Sequence, residues 1–383
     1  MFHHDERDYN FAVSQAAKAM KDKLHSQIQE AKKKSLLALE RVQNELPTDR
    51  VVRAKSIEFA NSGDKFQMEI RAADGQIIEN AVHPWALGQI AEYARIPKTY
   101  LMQLQALQQK DDCWGANLAA KNLNELFHHL PNEERRLLRT VDTETRGFLS
   151  TKYKRRHPGQ LLDGFLAACK KNDLIPYTAT ATDTKHMVRA VLDGIIEPVP
   201  NECLGVGVVY SESPYGNGST SVSIFIERMW CTNQAVMSTD LRSAHLGGRL
   251  SEDFEWSEET YLADTKATMY QIQDMLEAYV SKRALDKMSA TVKLAHDTKV
   301  ESKQFEAFIK KNLSKDDAEA VADIYRGADV EMLPAGNTVW RASNAMSFFA
   351  GSVKDEEKKF ELQKLAGMLL EPMSKAVEKR KTA

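Results

Sequence analysis

Apolar positions near the start of the chain fall at helical spacing. From Asn10 to about Asn44, Ala, Leu and Val recur among Lys, Gln and Glu with few breakers, which predicts one long amphipathic helix. Its "AKKKSLLALERV" end reads as a solvated face, and its apolar stripe has no evident partner elsewhere in the chain. Between Val51 and Ala81 the period changes to two around "NSGDK" and "AADGQ", which predicts a few short strands joined by tight turns. In "HPWALGQIAEYARIPKTYLMQLQAL" two short helical patterns are separated at Ile96-Pro97. The second offers Lys98, Gln103 and Gln105 but little positive charge, so a structural helical pair is favoured over a DNA-reading helix-turn-helix. Another helix is expected through "NLAAKNLNELFHHL", where the adjacent His128 and His129 point apart and cannot share a metal from one face.

An apolar strand from Leu204, the turn "SESPYGNGST" and the strand "SVSIFIERMW" read as a β-hairpin. Gly216 and Gly218 supply the torsions of a tight turn, and the Lys-Ser/Thr of a phosphate-binding loop is missing. Along the second strand, alternation places Ile224, Ile226, Arg228 and Trp230 on one face and Phe225, Glu227, Met229 and Cys231 on the other. Beyond Ser257 the pattern is helical almost throughout. The expected fold is α+β: an N-terminal helical extension over 1–50, a mixed core with an antiparallel sheet over 51–256, and a helical region over 257–383.

Composition narrows the function. With 52 basic against 54 acidic residues and a net charge of -2, the 383-residue chain is no polycation, so any contact with nucleic acid must be a local patch. The segment Asn132 to Pro158, "NEERRLLRTVDTETRGFLSTKYKRRHP", is the strongest charge anomaly. Clustered Lys and Arg suit phosphates, and Phe148 and Tyr153 suit exposed bases, although a solvated basic loop would have the same composition. Cys113, Cys169, Cys203 and Cys231 lie far apart without the close pairs of a zinc site and read as reduced, mostly buried thiols. Neither a signal peptide nor a run of about 18 apolar residues is evident, so a soluble cytoplasmic protein without a membrane partner is expected.

The stretch "RMWCTNQAVMSTDLRSAHLGG" concentrates reactive side chains. Cys231 and His245 would be the nucleophile and base of a nuclease or hydrolase, but no third orienting residue can be placed and too few ligands gather for a metal. A recognition surface is the remaining reading.

Here the chain resembles the phage- and plasmid-borne family filed as domain of unknown function 932. The resemblance runs from "ALGQIAEYARIPKTYL" through "LLRTVDTETRGFLSTKYKRRHPGQLL" to "NTVWRASNAMSFFAGSVKDEEKKFELQKLAGMLL", roughly Ala81 to Leu370. It is sharpest around the cysteine-x-asparagine of Cys231 and Asn233, followed by an arginine and a histidine-glycine; Gln234 departs from the glycine usual there. The family's hairpin-and-helix order is also similar to phage single-strand annealing proteins.

These likenesses imply a self-assembling protein that binds single-stranded DNA and promotes strand annealing or recombination without cofactor or metal. The residues expected to touch the strand are Arg146, Lys152, Tyr153, Lys154, Arg155, Arg156, Arg228, Trp230, Asn233, Arg242 and His245. The rivals are the Cys231/His245 enzyme and a mobile-element accessory that binds a host protein through its helical C-terminal half.

Overall fold

The computed structural model describes residues 11–62, 65–71, 76–107, 113–231, 233–237, 242–243, 256–327 and 333–382. The fold is α+β, with two sheets. Helix α1 (Gln15–Asn44) leads into β1 (Thr48–Arg53), β2 (Ile57–Ser62), β3 (Lys65–Arg71) and β4 (Ile77–Val82). The three helices α2 (Pro84–Tyr93), α3 (Lys98–Ala106) and α4 (Trp114–His128) precede β5 (Arg135–Val141) and β6 (Glu144–Ser150). These strands form a sheet in the order β1-β5-β6-β4-β3-β2, antiparallel except for the short β4–β6 pairing. Alternation puts Phe59, Met68 and Phe148 on the face covered by α2 to α4, where they pack with Ile90, Leu123 and Phe127. The basic segment, for which a solvated loop is the alternative reading, begins as two paired strands.

After α5 (Pro158–Lys171) come β7 (Leu174–Ala181), β8 (His186–Ile196), β9 (Leu204–Glu212), β10 (Thr220–Arg228), β11 (Asn233–Met237) and the short β12 (Arg242–Ser243). The first five make an antiparallel meander, with β12 beside the start of β10. The expected hairpin is β9–β10, and its two faces divide as the alternation requires. Ile226 joins Val208, Tyr210 and Phe165 on one side, whereas Phe225 and Met229 join Val191 and Val209 on the other. Helices α6 (Glu258–Tyr279), α7 (Lys282–Asp297), α8 (Ser302–Asn312), α9 (Lys315–Arg326), α10 (Val339–Ser352), α11 (Glu356–Met368) and α12 (Glu371–Thr382) complete the chain. Leu276, Met288 and Met346 belong to the Ile226 side. No helix among the described residues is long and apolar enough to cross a membrane.

The stripe of α1 does find a partner. Ala17, Leu24 and Ile28 pack on the Phe225 face of the second sheet. Sequence patterning missed this because the receiving strands are more than a hundred residues away. The docking uses irregularities in strand register, which insert extra residues and re-aim side chains. Tyr177 is the extra residue where Pro176↔Ala190 gives way to Thr178↔Arg189, and Ser35 of α1 donates to its carbonyl while accepting from Ala179 N–H. Leu192, Asp193 and Gly194 oppose the single residue Val206, and Asp193 turns out to Lys21 and His25 of α1. In the first sheet, Arg139↔Gly147 gives way to Thr140↔Thr145, which leaves Arg146 as the extra residue. Its guanidinium reaches Glu45, the C-cap of α1.

Candidate functional site

The basic segment sits where the two sheets meet, and its cations are engaged there. Arg146 Nη1 donates to Glu45 Oε2 at 3.0 Å, while Tyr215 Oη donates to Glu45 Oε1 at 2.5 Å. Arg139 donates to the carbonyls of Pro214 and Arg156 and lies 3.3 Å from Asp49. Arg156, with only 1 % of its side chain exposed, donates to Asp264 Oδ2 at 2.8 Å and to Thr220 Oγ1 at 3.1 Å. Lys154 Nζ holds the other oxygen of Asp264 at 2.6 Å.

Electrostatics follow from this burial. Desolvation pushes the Asp264 carboxyl up, but hydrogen bonds from Lys154 and Arg156 outweigh it and leave the pKa below its ordinary value. Burial raises the Tyr153 and Tyr215 phenols, so both remain protonated donors; Tyr153 Oη donates to Ser213 O at 2.9 Å. Burial also lowers the His186 pKa against the opposing pull of Glu45 and Glu212. Among the described residues neither nitrogen of His186 has a hydrogen-bond partner.

The residues expected to touch a strand are placed as follows. Arg146, Lys154 and Arg156 fasten one part of the chain to another, and the Tyr153 hydroxyl is tied to Ser213 O. Arg155 lies over the Tyr261 ring at 5.0 Å, and Lys152 is half-buried beside Ser150. Arg228 pairs with Glu202, Trp230 donates from its ring to Asn201 O, and Asn233 is buried against Asn344 O. Arg228 and Thr220, the anchor of Arg156, end β10 on opposite sides, roughly 26 Å apart at the usual rise per residue. Arg156 and Arg228 therefore belong to separate places. The side chain of Arg242 and the whole of His245 lie outside the described residues, as does any Cys231–His245 geometry.

Cys231 itself is half-buried, 3.6 Å from Arg228 Nη1; Cys169 and Cys203 are buried, and none of the four cysteines is disulfide-bonded. No cluster of three or more His, Cys, Asp or Glu that could hold a metal occurs among the described residues.

The structure instead presents concavities on both sides of the β9–β10 turn. Gly216, at φ +83°, lets this turn lie against the first sheet: a Cβ there would sit 2.7 Å from Leu149 Cδ2. Trp85 and Gln89 of α2 both donate to Tyr215 O at 2.9 Å and fix the turn. On one side is a cleft of about 690 Å³ lined by Tyr93, Arg136, Phe148, Ser150, Tyr153 and Ser219. In it the Arg136 guanidinium lies 3.8 Å from the centre of the Tyr93 ring, with Phe148 behind.

Across the turn is a cavity of about 570 Å³ floored by Ser211, Ser213, Ser221 and Ser223, with Lys185 and Lys364 at its sides. Ser211 and Ser221 are direct cross-strand partners, and the buried Ser213 hydroxyl has no hydrogen-bond partner among the described residues. The signal was present in "SESPYGNGSTSVS", where Ser211, Ser213, Ser219, Ser221 and Ser223 all occupy odd positions. A period of two in hydroxyls marks one face of a hairpin as polar.

No protein-family model, curated protein or solved structure matches the chain.

Proposed function

We propose that this protein binds single nucleic-acid strands, DNA in the first instance, without covalent chemistry, and promotes their pairing as phage-type annealing proteins do. The observation that carries this reading is the cleft holding Arg136 on Tyr93. An arginine held over an aromatic ring in an open cleft provides a cation and a π surface against which an unpaired base can stack, a contact that favours single strands over duplexes. Serine hydroxyls lie just beyond the turn and are suited to sugar oxygens, leaving base edges free to pair, while Lys185 and Lys364 beside them share Glu361.

The test is fluorescence anisotropy with labelled oligothymidine and a duplex of equal length over a salt series, followed by an annealing assay with complementary strands. The wild type is expected to prefer the single strand. Arg136→Ala should weaken binding by about tenfold or more, in line with loss of about 1–3 kcal/mol of stacking per base. Absence of saturable single-strand binding at low salt, or full affinity in R136A, overturns the reading.

A further inference from the structure

The strand β2 is an edge of the first sheet, yet the backbone N–H and C=O of one of its residues are already occupied. Phe59 N–H donates to Asn124 Oδ1 at 2.6 Å, and Asn124 Nδ2 donates to Phe59 O at 2.9 Å. A side-chain amide from α4 thus makes the pair of hydrogen bonds that a neighbouring strand would make. Alternation of the β2–β3 ladder turns the N–H and C=O of Asn61 the same way as those of Phe59. Beside them runs a groove of about 510 Å³ bounded by Asn61, Asn117, Lys121, Asn124, Glu125 and His128. The Asn61 side-chain oxygen is buried there without a hydrogen-bond partner among the described residues.

We propose that the β2 edge is an interface for a second copy of this chain and that Asn124 is the gate that holds it shut. Two-fold antiparallel pairing must place outward-turned residues opposite one another. Centring the axis on Phe59 pairs Phe59 with its copy, Ile57 with Asn61, and Glu58 with Ala60, using all of β2 except Ser62. Moving the axis toward Ile57 by one residue sets Glu58 against Glu58 of the second copy, which like-charge repulsion disfavours. The favoured register thus needs the two Phe59 groups that Asn124 occupies. In the same arrangement Lys121 and Glu125 of each copy line the groove beside the new strand pair. A free edge is an association hazard, and the Asn124 amide controls when this one opens. The interface stands independently of the strand-binding reading.

The experiment measures the mass of the full chain by sedimentation and light scattering over a concentration series. Asn124→Ala is expected to lower the dimer dissociation constant at least tenfold, with Asn124→Asp, which keeps only the acceptor, in between. In the N124A background, Asn61→Pro removes an outward N–H at an edge position that tolerates proline and should restore the monomer. Ala60→Glu should do the same by facing Glu58 of the copy, and adding Glu58→Lys should bring the dimer back. An unchanged mass in N124A, assembly insensitive to N61P, or failure of the charge swap to rescue A60E overturns the proposal; a melting curve for each variant separates these results from loss of folding.

Discussion

Arg146 and Glu45 meet at 3.0 Å because one strand carries one residue too many. The arginine belongs to the first sheet and the glutamate caps α1, which lies on the second, so this pair ties the two sheets together. Both side chains are largely withdrawn from water, at 12 % and 4 % exposure. Removing Arg146 leaves the Glu45 carboxylate desolvated, with the Tyr215 hydroxyl and Arg41 at 3.8 Å as remaining partners. Arg146→Met is expected to cost about 3–5 kcal/mol, whereas the double variant R146M/E45M should recover part of that loss. Urea unfolding of the single and double variants checks both values.

The charges at the next turns of the chain are not equivalent. Arg156→Glu would bring a carboxylate against Asp264 and is expected to prevent stable folding. Lys152→Glu, at a half-buried position with no ion pair among the described residues, should stay within about 0.5 kcal/mol of wild type. Reversing Lys152, Lys154, Arg155 and Arg156 together therefore measures stability before it measures binding. Thermal melts should be run before any affinity is compared.

His186 makes stability depend on pH. Burial holds its folded pKa below the ordinary value near 6.5, so within the window between them the unfolded chain binds more protons. Stability should rise with pH through that window and fall as the pH drops below about 6.5, until the folded pKa is reached. The charged groups that face the imidazole are Glu45, Glu212, Arg41 and Arg146. His186→Gln is expected to flatten the slope between about pH 5 and 7, measured as the urea midpoint across that range.

Gly367 marks where α11 meets β11. A Cβ there would lie 1.9 Å from Val236 O, a backbone atom that cannot swing aside. Gly367→Ala should destabilise by at least the roughly 1–3 kcal/mol typical of overpacking, and Gly351→Ala, in open space at the end of α10, should not destabilise. Paired melting curves make the comparison.

Local pattern was enough for the α+β class, the long first helix, the helical pair at Ile96-Pro97 and the β9–β10 hairpin with its two faces. Each is encoded within one or two elements. The site was less legible. Arg156 and Lys154 looked like phosphate ligands because their partner Asp264 lies over a hundred residues away. Arg136 was one arginine among several until the fold laid it on Tyr93. Charge composition indicates that cations are present, but only tertiary contacts decide whether they remain available.

The attachment of α1 also sets an order in time. Its counterparts, Tyr177, Asp193 and Arg146, all lie more than a hundred residues downstream. At synthesis rates of roughly 5–20 residues per second, the end of β8 follows the end of α1 by roughly 8–30 s. Throughout that interval Leu24 and Ile28 have no sheet to cover them, so the nascent helix waits with its apolar stripe uncovered and within reach of a chaperone before the strands that receive it exist.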